Sequence, residues 1–234
     1  MIDLSRRDGR MLRIGHRGAA ALAPENTIES LRLAIELGCD LVEFDVHEVA
    51  GTLVLAHDSP VGPDPELPTL DEALAFLAGT KAGAHLDLKA TGAEEAVADA
   101  LGRHGLVERT VVSSFRPDTL RALRAVEPGL RLGLTYPEDR RGLVQRRGLA
   151  PFIRPALGAM RAVLPFRVAR LLAGAGASAA MLHFAVASKA VVERCHAIGA
   201  PVLVWTVDEH PWVPRLDAMG VDGVITNNPH IFRG

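Results

Sequence analysis

The chain is poor in cysteine and in aromatic side chains, and it carries almost no net charge. Cys39 and Cys195 are its only cysteines in 234 residues. A pair so far apart gives no disulfide framework, so a reduced interior is the simplest context. Neither lies in a Cys-x-x-Cys motif, a common setting for an activated thiol. Aromatic residues are 4% of the sequence, too few for the stacking platforms of single-strand nucleic-acid binders. The formal charge of −2 gives no global pull towards nucleic acid or anionic membrane. No uncharged apolar run reaches the roughly 20 residues that span a bilayer. Met1 to Arg13 is charged and has no apolar stretch of the secretion-signal kind. The expectation is a cytoplasmic protein without a nucleic-acid partner.

What is present is a substantial core and a regular alternation of elements. Hydrophobic residues are 48% and charged residues 23%, the balance of a folded globular chain. Short apolar strands are expected at 12–16, 41–46, 85–89, 110–115, 130–135, 180–184, 202–207 and 223–226. An added strand at 52–57 is turned by Ala50-Gly51. Helices are expected at 27–37, ending at Gly38, then at 70–77 with Thr69 as N-cap, and at 93–103. Further helices fall at 118–126, opened by Pro117, at 189–198 and at 211–219. Strand–helix alternation implies a parallel sheet with right-handed crossovers. Eight units favour an α/β fold closed as a (β/α)8 TIM barrel over an open sheet. We expect one domain over residues 1–234, with the last helix short or missing.

One segment, 137–177, breaks the rhythm. It holds Arg140, Arg141, Arg146, Arg147, Arg154, Arg161, Arg167 and Arg170 among apolar residues, and no acidic residue follows Asp139 within it. It reads either as an outer barrel helix with a solvated basic face, or as a basic amphipathic element in peripheral contact with an anionic membrane.

Chemistry concentrates near the N-terminus, in Ile14-Gly15-His16-Arg17-Gly18, Pro24-Glu25-Asn26-Thr27, Glu43-Phe44-Asp45 and His57-Asp58. Glu43 and Asp45 are two apart on a strand and share a face, and Asp87 and Lys89 repeat that spacing. At the C-terminal strand ends of a barrel these side chains enter one mouth. Three carboxylates there repel one another unless a cation neutralises them. All-oxygen ligation points to one divalent cation, Mg²⁺, Ca²⁺ or Mn²⁺, rather than zinc.

Together with the Asp87-x-Lys89 pair and Trp205-Thr206-Val207, these motifs resemble the glycerophosphodiester phosphodiesterases, in order, over nearly the whole chain. The resemblance implies a TIM barrel and hydrolysis of a phosphodiester. His16 and His57 then correspond to the general acid–base pair, Arg17 and Lys89 to phosphate-binding residues, Glu43, Asp45 and Asp87 to metal ligands, and Trp205 to the aromatic wall of the pocket. In related enzymes a neighbouring hydroxyl of the substrate can itself attack phosphorus.

The chain departs from the family pattern at four places. Asp87 stands where glutamate is normal, one methylene shorter. A trimmed His47-Glu48-Val49-Ala50-Gly51 hairpin replaces Thr-x-Asp-Gly. Asn227 follows Thr226 where aspartate is more usual. Only nine residues separate Asp58 from Pro68, where the family places a small capping insertion. The wide mouth this leaves weakens the case for a small glycerophosphodiester and suits a larger diester, with a lysophospholipid, cleaved on its headgroup side, as the specific candidate. Two other readings stand beside the hydrolase: a phospholipase-D-like headgroup lipase at a membrane surface, and a non-catalytic phosphodiester-binding barrel.

Overall fold

The structure, a computed structural model, describes residues 1–58, 66–138 and 150–233. In chain order its elements are β1 (Leu12–Gly15), α1 (Ile28–Glu36), β2 (Leu41–Val49), β3 (Thr52–Leu55), α2 (Leu70–Ala78), β4 (Gly83–Leu88), α3 (Glu94–Arg103) and β5 (Thr110–Ser114). They continue with α4 (Pro117–Val126), β6 (Arg131–Tyr136), α5 (Ala150–Ala175), β7 (Ala179–His183), α6 (Lys189–His196), β8 (Val202–Trp205), α7 (Trp212–Ala218) and β9 (Gly223–Thr226). Strand order is β1-β9-β8-β7-β6-β5-β4-β2-β3, and an additional β1–β2 pairing closes the ring. Eight strands are parallel, whereas β3 pairs antiparallel with β2 alone. The fold is the expected (β/α)8 barrel. After β9 the described residues make a single 3₁₀ turn, Pro229–Phe232.

Local chemistry accounts for the element ends. Thr27 and Ser30 form a capping box at α1, and Thr69 and Glu72 form another at α2, so orphan N–H groups at both helix starts are satisfied. Pro117 opens α4, at a position where its missing N–H costs nothing. Ala50 and Gly51 both take positive φ, 50° and 82°, the type I′ geometry that matches strand twist in a two-residue hairpin.

Two apolar layers hold the barrel. The larger lies between strands and helices, with Leu31, Phe44, Leu74, Leu86, Leu101 and Leu120 buried. The smaller fills the barrel interior with Leu12, Ile14, Leu41, Val111, Met181, Leu203 and Ile225, and Leu4 belongs to it. Leu4 and the partly buried Ile2 bring the N-terminal segment against the floor. Truncating one such buried leucine to alanine costs about 2–5 kcal/mol.

The basic segment is partly visible. Residues 139–149, with Arg140, Arg141, Arg146 and Arg147, lie outside the described residues. The remainder forms the 26-residue helix α5, which carries Pro155 and Pro165 internally. It docks through Leu164, Val168, Leu172 and Ala175, all buried, at the three- and four-residue spacing of one helix face.

Candidate active site

The pleat turns a polar set inward at the C-terminal strand ends. The register aligns Asp45 with Asp87 and Asp87 with Ser113, so three adjacent strands contribute to one wall. These residues, with His16, Arg17, Glu43, His57 and Lys89, line a cavity of about 850 Å³.

The turn after β1 is built around Glu43. His16 N–H donates to the Thr226 carbonyl (2.7 Å) and Gly18 N–H to the Glu43 carbonyl (3.0 Å). Arg17 and Gly18 take positive φ, 49° and 80°, and a Cβ on Gly18 would lie 2.4 Å from the Ser30 carbonyl carbon. Only glycine fits there. The turn thus brings Arg17 N–H onto Glu43 Oε2 at 2.7 Å.

The Pro24-Glu25-Asn26-Thr27 run serves the same centre. Glu25 takes a hydrogen bond from Arg17 Nη1 (2.8 Å). Asn26 donates from Nδ2 to Asp45 Oδ2 (3.1 Å) and accepts the Asp45 N–H through Oδ1 (3.0 Å), so a single side chain fixes both the backbone and the carboxylate of Asp45.

Glu43, Asp45 and Asp87 are all buried and each offers an oxygen within 4.8 Å of the others. The shorter Asp87 therefore reaches the cluster. Lys89 Nζ contacts Asp45 Oδ1 at 2.9 Å and also Asp87, and Arg17 Nε lies 3.1 Å from Asp45 Oδ2. Burial raises the pKa of Asp45, but Lys89 and Arg17 outweigh it and hold the carboxyl below its usual range. Among the described residues no lysine or arginine forms an ion pair with the Glu43 carboxylate, and the Lys89 charge offsets only part of the opposing effects. Burial, then repulsion from Asp45 and Asp87, pushes its pKa well above the usual range. Buried oxygen donors with unbalanced negative charge fit a hard divalent cation.

The two histidines differ. His16 Nδ1 bonds Asn227 Oδ1 at 2.7 Å. Asn227 is itself oriented, donating from Nδ2 to Asp208 Oδ2 (2.7 Å) and from its backbone N–H to Asp208 Oδ1 (2.8 Å). The amide oxygen therefore faces His16, which places the proton on Nδ1 and leaves Nε2 as a base, 3.9 Å from Glu43. Burial, then the Arg17 charge, lowers the His16 pKa. His57 is partly exposed, with Nδ1 3.1 Å from Asp58. His47, two residues beyond Asp45, bonds the His57 backbone carbonyl through Nε2 (3.2 Å), a structural contact.

A second relay supports the carboxylate wall. Ser113 Oγ donates to Asp87 Oδ1 (2.8 Å), and His85 Nε2 meets Ser113 Oγ at 2.9 Å. Because the serine proton is spent on Asp87, His85 must donate from Nε2. Its Nδ1 is then a buried acceptor without a partner, and burial lowers the His85 pKa to about 4.

The far wall is apolar. Trp205 donates from Nε1 to the Met181 carbonyl (3.1 Å), which fixes its ring edge-on to Phe115 (5.9 Å) and His183 (5.1 Å). Leu157 of α5 and Met181 also line this side. Sequence reasoning brought forward the charged wall but gave no role to Asn26, His85, His183 or Asn227, and left Ser113 between a turn cap and the pocket. For His85 a signal existed, since it shares the alternation of Asp87 and Lys89 on one strand.

Comparison with known proteins agrees with this geometry. The model of the Glycerophosphoryl diester phosphodiesterase family matches residues 16–73 and 60–231. A glycerophosphodiester phosphodiesterase of Caldanaerobacter subterraneus is 27% identical, over 92% of this chain and 93% of that protein. Among solved structures, a glycerophosphodiester phosphodiesterase from Agrobacterium tumefaciens superposes with a TM-score of 0.72 at 23% identity, covering 95% of this chain and 98% of that one. A phosphodiesterase from Oleispira antarctica, solved with the product sn-glycerol-3-phosphate, gives 0.74 at 23%, covering 95% of each chain. At that identity the structures speak for the barrel, while the family model matches most of the sequence, so the chain belongs to the glycerophosphoryl diester phosphodiesterase family.

Proposed function

We propose that this member of a phosphoric diester hydrolase family cleaves a glycerophosphodiester, or a lysophospholipid on its headgroup side, to an alcohol and a phosphomonoester by acid–base catalysis. The observation that carries this reading is the pairing of a base-poised His16 with a buried, under-neutralised carboxylate cluster in one cavity. Glu43, Asp45 and Asp87 would hold one divalent cation, with Mg²⁺ or Ca²⁺ favoured and Mn²⁺ an alternative. Such an ion supplies Lewis-acid polarisation of a phosphoryl oxygen.

The side chains divide the remaining work. Arg17 commits one of its five N–H groups to a hydrogen bond with Glu25 and sets its charge beside Asp45, which leaves others to hold phosphoryl oxygens. Lys89 adds positive charge beside them. His16 Nε2 takes the proton of the attacking hydroxyl, from water or from the substrate's own neighbouring hydroxyl; in the second case a cyclic phosphate forms first, and water then opens it to the monoester. As the new O–P bond forms and the ester O–P bond breaks, His57 gives a proton to the leaving alkoxide. A depressed pKa keeps His16 neutral, with Nε2 free to accept a proton, and His57 takes the complementary role. Trp205, Phe115 and Leu157 would pack the non-reacting alcohol or acyl portion. Paired proton carriers argue against a barrel that only binds.

For the larger substrate, the reading includes peripheral membrane contact through 137–177. A substrate panel tests the whole of it: glycerophosphocholine against lysophosphatidylcholine, with EDTA and then with Mg²⁺, Ca²⁺ or Mn²⁺ restored. Turnover should be lost in EDTA, return with a divalent ion, and fall at least about 10²-fold in His16→Ala. Equal turnover of bis(p-nitrophenyl) phosphate by wild type and His16→Ala would falsify the acid–base assignment.

A further inference from the structure

The outer face of α5 is unlike an ordinary barrel helix. Phe166 is 89% exposed and Val163 46%, and Ala156, Ala159 and Ala162 are exposed with them. A large aromatic side chain left almost wholly in water forgoes the stabilisation its burial would bring. A shallow groove of about 350 Å³ runs beside Phe166 between α5 and the start of α6, lined by Gly158, Arg161, Pro165, Ser188 and Ala190.

The charges on this helix are of one sign. Arg161, Arg167 and Arg170 are its charged side chains beyond Arg154, and no acidic residue occurs between Asp139 and Glu193. Arg167 and Arg170 are exposed. That excess is local, since the whole chain carries −2. An apolar ridge flanked by arginines matches an anionic bilayer, where the aromatic ring enters the headgroup boundary and each arginine meets lipid phosphate. A second copy of the chain is a poorer occupant, because a face-to-face pair would oppose arginine to arginine with no carboxylate from either helix.

The ridge also lies near the mouth. Leu157 lines the catalytic cavity, and nine residues further along the same helix stands Phe166, about 13 Å away at the α-helical rise. We infer that α5 docks this protein on anionic membrane through Phe166, Val163 and the adjacent arginines, and thereby sets the cavity mouth close to lipid headgroups. Delivery of a lysolipid diester from that surface rests on the function proposed above; the docking itself does not.

Co-sedimentation of the full chain with vesicles separates the two. Vesicles of phosphatidylcholine alone should leave the protein in solution, whereas an equal mixture with phosphatidylglycerol should pellet it, less so as salt is raised. Arg167→Ala/Arg170→Ala should weaken that binding roughly thirtyfold, and Phe166→Asp should weaken it comparably. Both variants should keep wild-type turnover of the soluble diester bis(p-nitrophenyl) phosphate. Absence of any preference for the anionic vesicles, or undiminished binding by both variants, would overturn the inference. So would a dimer in light scattering that Phe166→Asp dissolves, since the ridge would then be a protein interface. Wild-type protein that pellets with anionic vesicles yet cleaves no diester leaves docking standing and removes only the proposed function.

Discussion

Asn227 presents its amide oxygen to His16 Nδ1 at 2.7 Å while its nitrogen is held by Asp208. The imidazole thus has a neutral partner, and the carboxylate sits one residue further back. A carboxylate directly on Nδ1 would favour the imidazolium; an amide oxygen orients the ring with a smaller effect on its basicity.

Exchanging the two partners tests that arrangement. Asn227→Asp alone sets a second carboxylate against Asp208 and should destabilise the chain by about 1–3 kcal/mol. Adding Asp208→Asn should recover most of that loss, because amide and carboxylate are again paired. In the double variant the His16 pKa should rise. With His16 acting in its neutral form, as proposed, the acid limb of kcat/KM should move to higher pH. An unmoved limb in a stably folded double variant would rule out His16 as the titrating base.

Ser113 and His85 should govern cation affinity rather than folding alone. Ser113→Ala frees the Asp87 carboxylate to rotate, and loss of such an orienting bond costs about 10–100-fold in metal affinity. The dependence should be specific to the short ligand. In an Asp87→Glu background, where the carboxylate reaches further, Ser113→Ala should cost little. Calorimetric titration of metal-free protein with Mg²⁺ or Mn²⁺ reads both effects. Additive losses in the double variant would mean that Ser113 does not act through Asp87.

At the opposite end of the barrel, Asp40 should control acid stability. It accepts from Arg7 (2.8 Å), from both Arg10 Nη atoms (2.7 and 2.8 Å) and from the Arg13 N–H (2.9 Å). Burial raises its pKa, but Arg10 and the Arg13 N–H outweigh burial, so the folded-state value lies below that of the unfolded chain. The stabilisation is therefore present above the unfolded value, near 4, and lost as pH falls through the folded one. Asp40→Asn should lower stability by about 1–3 kcal/mol at neutral pH and leave turnover intact. In denaturant titrations its deficit should shrink below about pH 4; a constant deficit across that range would exclude the linkage.

Much of the molecule is legible in the sequence because it is written locally. Period-two apolar runs mark the strands, Thr69 and Pro117 mark helix starts, and Ala50-Gly51 marks the hairpin. Glu43, Asp45, Asp87 and Lys89 can be grouped because strand alternation fixes their face. The features that escape depend on register and closure. His16 and Asn227 are 211 residues apart, and nothing near either position reveals the other. The His85–Ser113–Asp87 relay needs β4 and β5 aligned as they are, since a one-residue slip would turn Ser113 out of the barrel. Asn26 belongs to a legible motif, yet its grip on Asp45 depends on its left-handed backbone, at φ 57°. The outer helix read within 137–177 is present as Ala150–Ala175, but its bounds are obscured by Pro155 and Pro165, which sequence rules treat as helix breakers. The two cysteines are buried, and burial lifts each thiol to about 12, in keeping with an unreactive role.

The cavity is divided by sequence order as well as by polarity. Its charged groups, from His16 to Lys89, belong to the first four strands and the loops after them, while Phe115, Leu157, Met181, His183 and Trp205 all come later in the chain. Inheritance can therefore act on the two halves separately. On the proposed function, drift in the later strands and in α5 would change which alcohol is accepted and leave the charged groups in place. Asn227 and Ser113 are the exceptions, late residues tied to the early half through His16 and Asp87. Chimeras between relatives should therefore exchange selectivity when the junction falls after Lys89, provided that the donor's late half brings compatible partners for that imidazole and that carboxylate.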